Sequence, residues 1–291
     1  MSAPPGDLAA ALRAARAAAR HWFLSEPELL RSGMNAIYTT GPDTVLRVSR
    51  PTSDPAGMLF LTELLGEHGV RVPRLARSEV VEHEEFAVFA FERIHSVGPT
   101  DWRQVGQMVG RVHHLSREAV GSMYPLPSCR VFPWWQFDEL LGEVGDALDA
   151  RAAAGIRDSI ERNRNWDAHH SAEVVCHGDV HPGNVVQGVD GPVLLDWDLM
   201  CVGPPAWDHA PMMTWAERWG GEPGQYEAYA EGYGRSLRAD PVAVAIAELR
   251  LVAATLMRVR AGFTNPAARL EAERRLRYWR GEVDPPTWTA Q

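Results

Sequence analysis

The chain has 291 residues, a formal net charge of −9, 45% hydrophobic residues and 23% charged residues. These are the proportions of an ordinary globular chain, which excludes disordered, collagen-like and small disulfide-framework proteins. No apolar run reaches the roughly 18 residues that a membrane helix needs, and an acidic balance argues against nucleic acid as the main partner.

Residues 9–19 are Arg-rich and acid-poor, as in an organelle transit peptide, and they lack the apolar core of a secretory signal. Leu8, Leu12, Ala15 and Ala19 nevertheless follow a helical stripe that Asp7 can cap, so a helix is expected there. Ile37 and Tyr38 read as strand, residues 41–43 (GPD) as a turn and 44–49 (TVLRVS) as a second strand. A helix is expected over 56–68, with Met58, Leu61, Leu64 and Leu65 on one face. Two strands, 75–81 and 86–94, should flank an acidic turn at 82–85. Residues 95–100 look like a linker.

Beyond the linker the periodicity turns helical. Trp102, Val105, Val109 and Val112 mark a helix over 101–115, and further helices are expected over 134–148 and 156–165. Short strands at 173–176, 185–187 and 193–195 interrupt this pattern. Helices resume at 207, broken near Gly220, Asp240 and Pro266. The organisation is α+β, a strand-rich segment 1–94 followed by a helical segment 95–291.

Charge is uneven: residues 121–240 hold 19 acids against 8 Arg, net −11. One reading is solvated helix faces; the other is an acidic cleft for a cationic substrate. Asp138, Glu139, Glu143, Glu217, Glu222, Glu227 and Glu231 are the candidate acids. The chain has no lysine, so any basic contact to phosphate is made by Arg. Cys129, Cys176 and Cys201 have no paired spacing, which points to a reducing compartment; the cytoplasm is expected.

The densest polar segment is VVCHGDVHPGNVV at 174–186. β-Branched residues enter and leave it, so strands flank a loop that presents His177, Asp179, His181 and Asn184. In 194–198 (LLDWD) an apolar strand ends in two carboxylates, Asp196 and Asp198. Carboxylates at the ends of short strands beside an amide suit a hard cation such as Mg²⁺.

His177-x-Asp179-x-x-x-x-Asn184 followed by Asp196 resembles the catalytic loop and metal Asp of the protein kinase-like fold. The wording HGDVHPGN…LLDWD…GPPAWD is similar to the aminoglycoside phosphotransferase and choline kinase-like family. The resemblance implies two lobes, 1–94 binding nucleotide and 95–291 carrying the catalytic loop and acceptor site. It implies that Asp179 handles the acceptor hydroxyl and that Asn184, Asp196 and Asp198 hold Mg²⁺ with ATP or GTP as donor. His177 would pack behind the loop, and Asp208 would brace it from below. Arg47 in the strand and Glu63 sixteen residues later would form the phosphate-anchoring pair, with Arg47 in place of the commoner lysine. Residues 89–94, including Phe91 and Arg93, would be the hinge that reads the base, and backbone N–H groups of 32–38 (SGMNAIY) would touch phosphate.

His113, His114 and His181 read as structural residues, the first two suiting the end of a helix. Trp134 and Trp135 read as packing or as a wall for the substrate. Gly178 stands where protein kinases carry an Arg, and eleven residues between Asp196 and Asp208 leave little room for an activation loop. A small-molecule acceptor is therefore expected: a cationic, aminoglycoside-like or other antibiotic, or alternatively a macrolide, choline, amino-alcohol or homoserine-like metabolite. The expected assembly is a monomer or weak homodimer. The competing readings are a two-metal hydrolase, with His177 and His181 as ligands, and a non-catalytic binder.

Overall fold

The computed structural model describes residues 2–3, 6–33, 35–168 and 172–289. The first helix, α1 (Leu8–His21), starts at Asp7, whose carboxylate accepts a hydrogen bond from the Ala9 N–H at 2.8 Å. Its buried face is all alanine: Ala10, Ala11, Ala14, Ala15, Ala18 and Ala19. The expected stripe is thus rotated, and Leu8 is exposed. Small side chains let the helix lie close on the sheet, where Tyr38, Leu46, Val48, Phe86 and Val88 complete the same core.

The sheet contains β1 (Ser2–Ala3), β2 (Glu28–Ser32), β3 (Ala36–Thr40), β4 (Thr44–Pro51), β5 (Val81–His83) and β6 (Phe86–Glu92). All pairings are antiparallel, in the order β2-β3-β4-β6-β5, with β1 paired to the end of β4. Alternation along β4 turns Leu46 and Val48 toward α1 and puts Arg47 on the other face, over the Phe89 ring at 5.9 Å. The strand expected over 75–81 is mostly absent. Leu75 makes an isolated bridge to Phe91, and β5 begins only at Val81. Arg77, Ser78 and Glu79 between them are exposed and offer nothing to bury. β2 was not legible because all five of its residues are exposed.

The second helix, α2 (Ala56–Glu67), buries Leu61 and Leu65, which join the large helical core with Val105, Met108 and Val109. Packing is therefore continuous across residue 94. The helical part comprises α3 (Trp102–His113), α4 (Arg117–Gly121), α5 (Phe137–Val144), α6 (Ala150–Asn163), α7 (Ala206–Arg218), α8 (Gln225–Tyr233), α9 (Pro241–Ala261) and α10 (Pro266–Trp279). The helix expected over 134–148 is shorter. Pro133 opens a 3₁₀ turn at the tryptophans, and Asp149 caps a new helix by accepting from Arg151 and Ala152 N–H at 3.1 and 3.0 Å. Two antiparallel pairs frame the loops of interest: β7 (Val174–Cys176) with β10 (Cys201–Gly203), and the hairpin of β8 (Val185–Gly188) with β9 (Gly191–Leu194). The three cysteines are free and buried, and no described helix is long and apolar enough to cross a membrane.

Candidate active site

β7 ends at Cys176, and the next eight residues form a loop whose backbone is fastened from beneath. Asp208, fully buried in α7, accepts from the His177 N–H at 2.8 Å and the Gly178 N–H at 2.8 Å. His113 Nε2 lies 3.0 Å from the same carboxylate, so His113 is a buried member of this brace rather than a helix-end cation facing solvent. Burial alone would raise the Asp208 carboxyl; the bond and charge of His113, with the loop N–H groups, hold it below the ordinary carboxylate range. Gly178 has φ +96°, and a Cβ there would overlap the Leu199 carbonyl oxygen. The arginine of protein kinases has no room at this position.

The histidines of the loop are committed to the protein. His177 Nδ1 accepts from the Asp179 N–H at 3.2 Å, so its Nε2–H donates to the Leu195 carbonyl at 2.9 Å. Burial pushes the His177 pKa down, which suits this neutral tautomer. His181 Nδ1 accepts from the Gly183 N–H at 3.0 Å, leaving Nε2–H for Asp179 Oδ2 at 3.2 Å, while the ring stacks on Trp215 at 4.9 Å. Neither ring keeps a nitrogen for a metal.

Asp179 is the focus of the loop. Oδ2 also accepts from Asn184 Nδ2 at 3.3 Å, and the Asp179 carbonyl takes the same amide at 3.0 Å. Oδ1 accepts from Arg250 of α9 at 2.6 Å. Burial would raise this carboxyl, but His181, through its Nε2–H bond, and the Arg250 charge outweigh it and hold the group well below the ordinary carboxylate range.

Asp196 follows β9 with φ +61°, a left-handed conformation uncommon for a non-glycine residue. Among the described residues no donor reaches its carboxylate. Burial, and then the neighbouring Asp198 charge, push it up to about 6. Asp198 is buried and tied across to the sheet: its Oδ2 accepts from Arg47 Nη2 at 2.6 Å and from Asn35 Nδ2 at 3.1 Å. The donor chemistry suits Mg²⁺. Asp196 is a carboxylate without a donor beside a second carboxylate, and Asn184, whose amide nitrogen is spent on Asp179, still has its amide oxygen.

The other expected positions differ. Arg47 pairs with Asp198 and not with Glu63, because α2 buries Leu61 and Leu65 and leaves Glu63 exposed. Phe91 packs on Phe89 and Leu75 near the end of β6. The Arg93 N–H is spent on the Asp43 carbonyl at 2.8 Å, and the Glu92 N–H on Arg74 at 2.8 Å. In the 32–38 segment, Met34 lies outside the described residues, and the Asn35 side chain is what reaches the site. Trp135 is buried against Trp207 and Trp166, whereas Trp134 is half-buried. Four of the candidate acids have arginine partners: Asp138 with Arg164 (3.8 Å), Glu143 with Arg260 (3.0 Å), Glu227 with Arg238 (2.8 Å) and Glu231 with Arg103 (2.5 Å). Much of the local acidic excess is thus answered on the surface. Arg250 and Asn35 were not found from sequence. Asn35 lay in a segment read only for its backbone, and nothing in the ELRL context of α9 marks Arg250.

Comparison with the sequences of curated proteins gives no match. Solved structures match over nearly the whole chain. A spectinomycin phosphotransferase in complex with ADP and spectinomycin has a TM-score of 0.65 at 16% identity, covering 91% of each chain. The apoenzyme of a macrolide 2′-phosphotransferase from Brachybacterium faecium has 0.60 at 19%, covering 93% of this chain and 97% of that one. A choline/ethanolamine kinase family protein from Mesorhizobium loti has 0.63 at 17%, covering 89% and 88%. These likenesses establish the two-lobed, kinase-like α+β fold. Residues 32–247 match the phosphotransferase enzyme family, and the chain belongs to that family.

Proposed function

We propose that the protein transfers the γ-phosphoryl group of ATP or GTP to a hydroxyl of a small molecule. Segment 1–94 would contribute the nucleotide-binding lobe and 95–291 the catalytic loop and acceptor site. One observation carries this reading: an ionised Asp179 held by protein donors stands in the same loop system as Asp196, a half-buried carboxylate that no donor reaches among the described residues. That division suits an orienting carboxylate beside a cation site. Asn184, Asp196 and Asp198 would hold Mg²⁺, which when bound supplies charge neutralisation on the β- and γ-phosphates.

The chain's own residues then do the following. Arg47, a planar fork with further donors beyond the one used on Asp198, binds phosphate oxygens from the sheet side. Asp179 orients the acceptor hydroxyl and receives its proton as the new oxygen–phosphorus bond forms and the bond to the nucleoside diphosphate breaks. Asp208 and His177 keep the loop in place. The hydrolase reading loses its ligands, since both loop histidines are hydrogen-bonded on both ring nitrogens.

The acceptor class is supported at the level of a small molecule. The similar solved structures include a spectinomycin phosphotransferase, a macrolide 2′-phosphotransferase and a choline/ethanolamine kinase family protein. The net charge favours a cation, but Asp138, Glu143, Glu227 and Glu231 are engaged by arginine and contribute little to that preference. The test is transfer from γ-labelled ATP and GTP with Mg²⁺ to aminoglycosides, spectinomycin, basic peptide antibiotics, macrolides, choline and amino-alcohols, wild type beside D179N. A labelled product absent with D179N is expected. A product formed equally by both proteins refutes the reading.

A further inference from the structure

Motif spacing does not account for one neighbour of Asp179. Arg250 lies on α9, 71 residues further along the chain. Its Nη2 donates to Asp179 Oδ1 at 2.6 Å and its Nη1 to the Gly178 carbonyl at 3.0 Å. The guanidinium carbon lies 5.2 Å from the Trp134 ring centre and 5.4 Å from that of Trp207, and the side chain is only 12% exposed. Two forked bonds and two aromatic rings fix the cation in one place.

We propose that Arg250 is a positioning residue for phosphoryl transfer, clamping Asp179 so that one defined carboxylate oxygen meets the acceptor hydroxyl. This rests on the role given to Asp179 above. An ionised carboxylate has about four lone-pair directions. His181 and Asn184 take the two on Oδ2, and Arg250 takes one on Oδ1. The remaining direction is on Oδ1, the oxygen that Arg250 grips. The hydroxyl therefore approaches beside the guanidinium, and the tilt of the carboxylate is set from α9. Without the clamp the carboxylate keeps its charge but can rotate away from the reacting oxygen, which costs rate more than binding.

Lysine cannot replace this residue, because an ammonium makes neither the fork nor the stacking. The seating of α9 does not depend on it: Leu249, Leu251, Val252 and Leu256 are all buried.

The test measures γ-phosphoryl transfer from Mg-ATP to the best acceptor of the panel, and to water in parallel, for wild type, R250M, R250K, R250A and D179N. Melting temperature and Mg-ATP affinity are measured beside it. R250M and R250K are expected to keep nucleotide affinity within about threefold and to lose kcat by about 100-fold with little change in acceptor KM. Millimolar ethylguanidinium should recover at least about tenfold of the lost kcat in R250A, where it has a cavity to fill, and none in R250M. R250M turning over like wild type beside an inactive D179N overturns the role of Arg250 alone. A loss seen only in KM, or an unrescued loss with a fallen melting temperature, also overturns it. Activity that survives D179N, or a wild type transferring to neither water nor any acceptor, overturns the reading of Asp179 and this proposal with it.

Discussion

Asp179 and Asp196 lie on neighbouring loops, and the protein treats them in opposite ways. Around Asp179 it supplies His181, Asn184 and Arg250, so the carboxylate is ionised, oriented and nearly saturated with donors. Around Asp196 it supplies burial, a second carboxylate and a left-handed backbone, with no donor among the described residues. In a low-dielectric setting an unpaired carboxylate is unfavourable, and the surrounding packing sustains it. On the proposed function, the contrast separates two tasks. A carboxylate that orients a hydroxyl must be positioned before substrate arrives. One that receives a cation must be left short of positive charge.

The strongest way to break this contrast is D179N. It should lower phosphoryl transfer by about 10³-fold or more while Mg-nucleotide affinity, read by titration calorimetry, stays within about threefold. Next is the brace beneath the loop. D208A leaves two loop N–H groups and the buried His113 without an acceptor, and urea unfolding should report a loss of about 3–5 kcal/mol. At Asp196 the sign of the stability effect should reverse. D196N relieves like-charge repulsion with Asp198 and tolerates the left-handed backbone, so the metal-free protein should gain about 1 kcal/mol while Mg-nucleotide affinity drops by about tenfold or more. A D196N protein less stable than wild type without metal would mean that the carboxylate already has its partner.

A further effect, away from the phosphoryl-transfer site, concerns pH. His209, buried beside Asp208, has its pKa pushed down to about 3 by burial and then by the His113 charge. Its folded pKa lies below the unfolded value, so the unfolded chain binds the extra proton. Its contribution is complete above about pH 6.5 and is lost as pH falls toward 3. Between pH 7 and 5 this should cost about 1–2 kcal/mol. H209Q should flatten that part of the profile; a wild-type slope in the variant would assign the acid sensitivity elsewhere.

The parts of the fold and site that were legible are those that a few adjacent residues decide. The β-branched run in 44–49 marked β4, and Asp7 marked the start of α1 by capping it; the Asp149 cap was missed, so α6 begins at Ala150 rather than at 156. The VVCHGDVHPGNVV and LLDWD segments set strand, loop and carboxylate side by side because β7, β8 and β9 are only three or four residues long. The edge strand β2 was illegible, because an all-exposed strand has no apolar period. Of the stripe Leu8, Leu12, Ala15 and Ala19, only the two alanines lie on the buried face of α1, because close helix–sheet approach selects for small residues rather than large hydrophobic ones.

The amino-acid sequence by itself thus determined the class of fold and which polar residues gather in the 177–184 loop and at the 196–198 carboxylates, since these follow from local spacing and side-chain type. Tertiary structure alone decided who partners whom. Arg47 faces Asp198 rather than Glu63, Asn35 reaches the same carboxylate, and Arg250 arrives from a distant helix to grip Asp179. Those contacts depend on how helices and sheet stack around a shared core, and an arginine in a helix carries no local mark of the carboxylate it will meet.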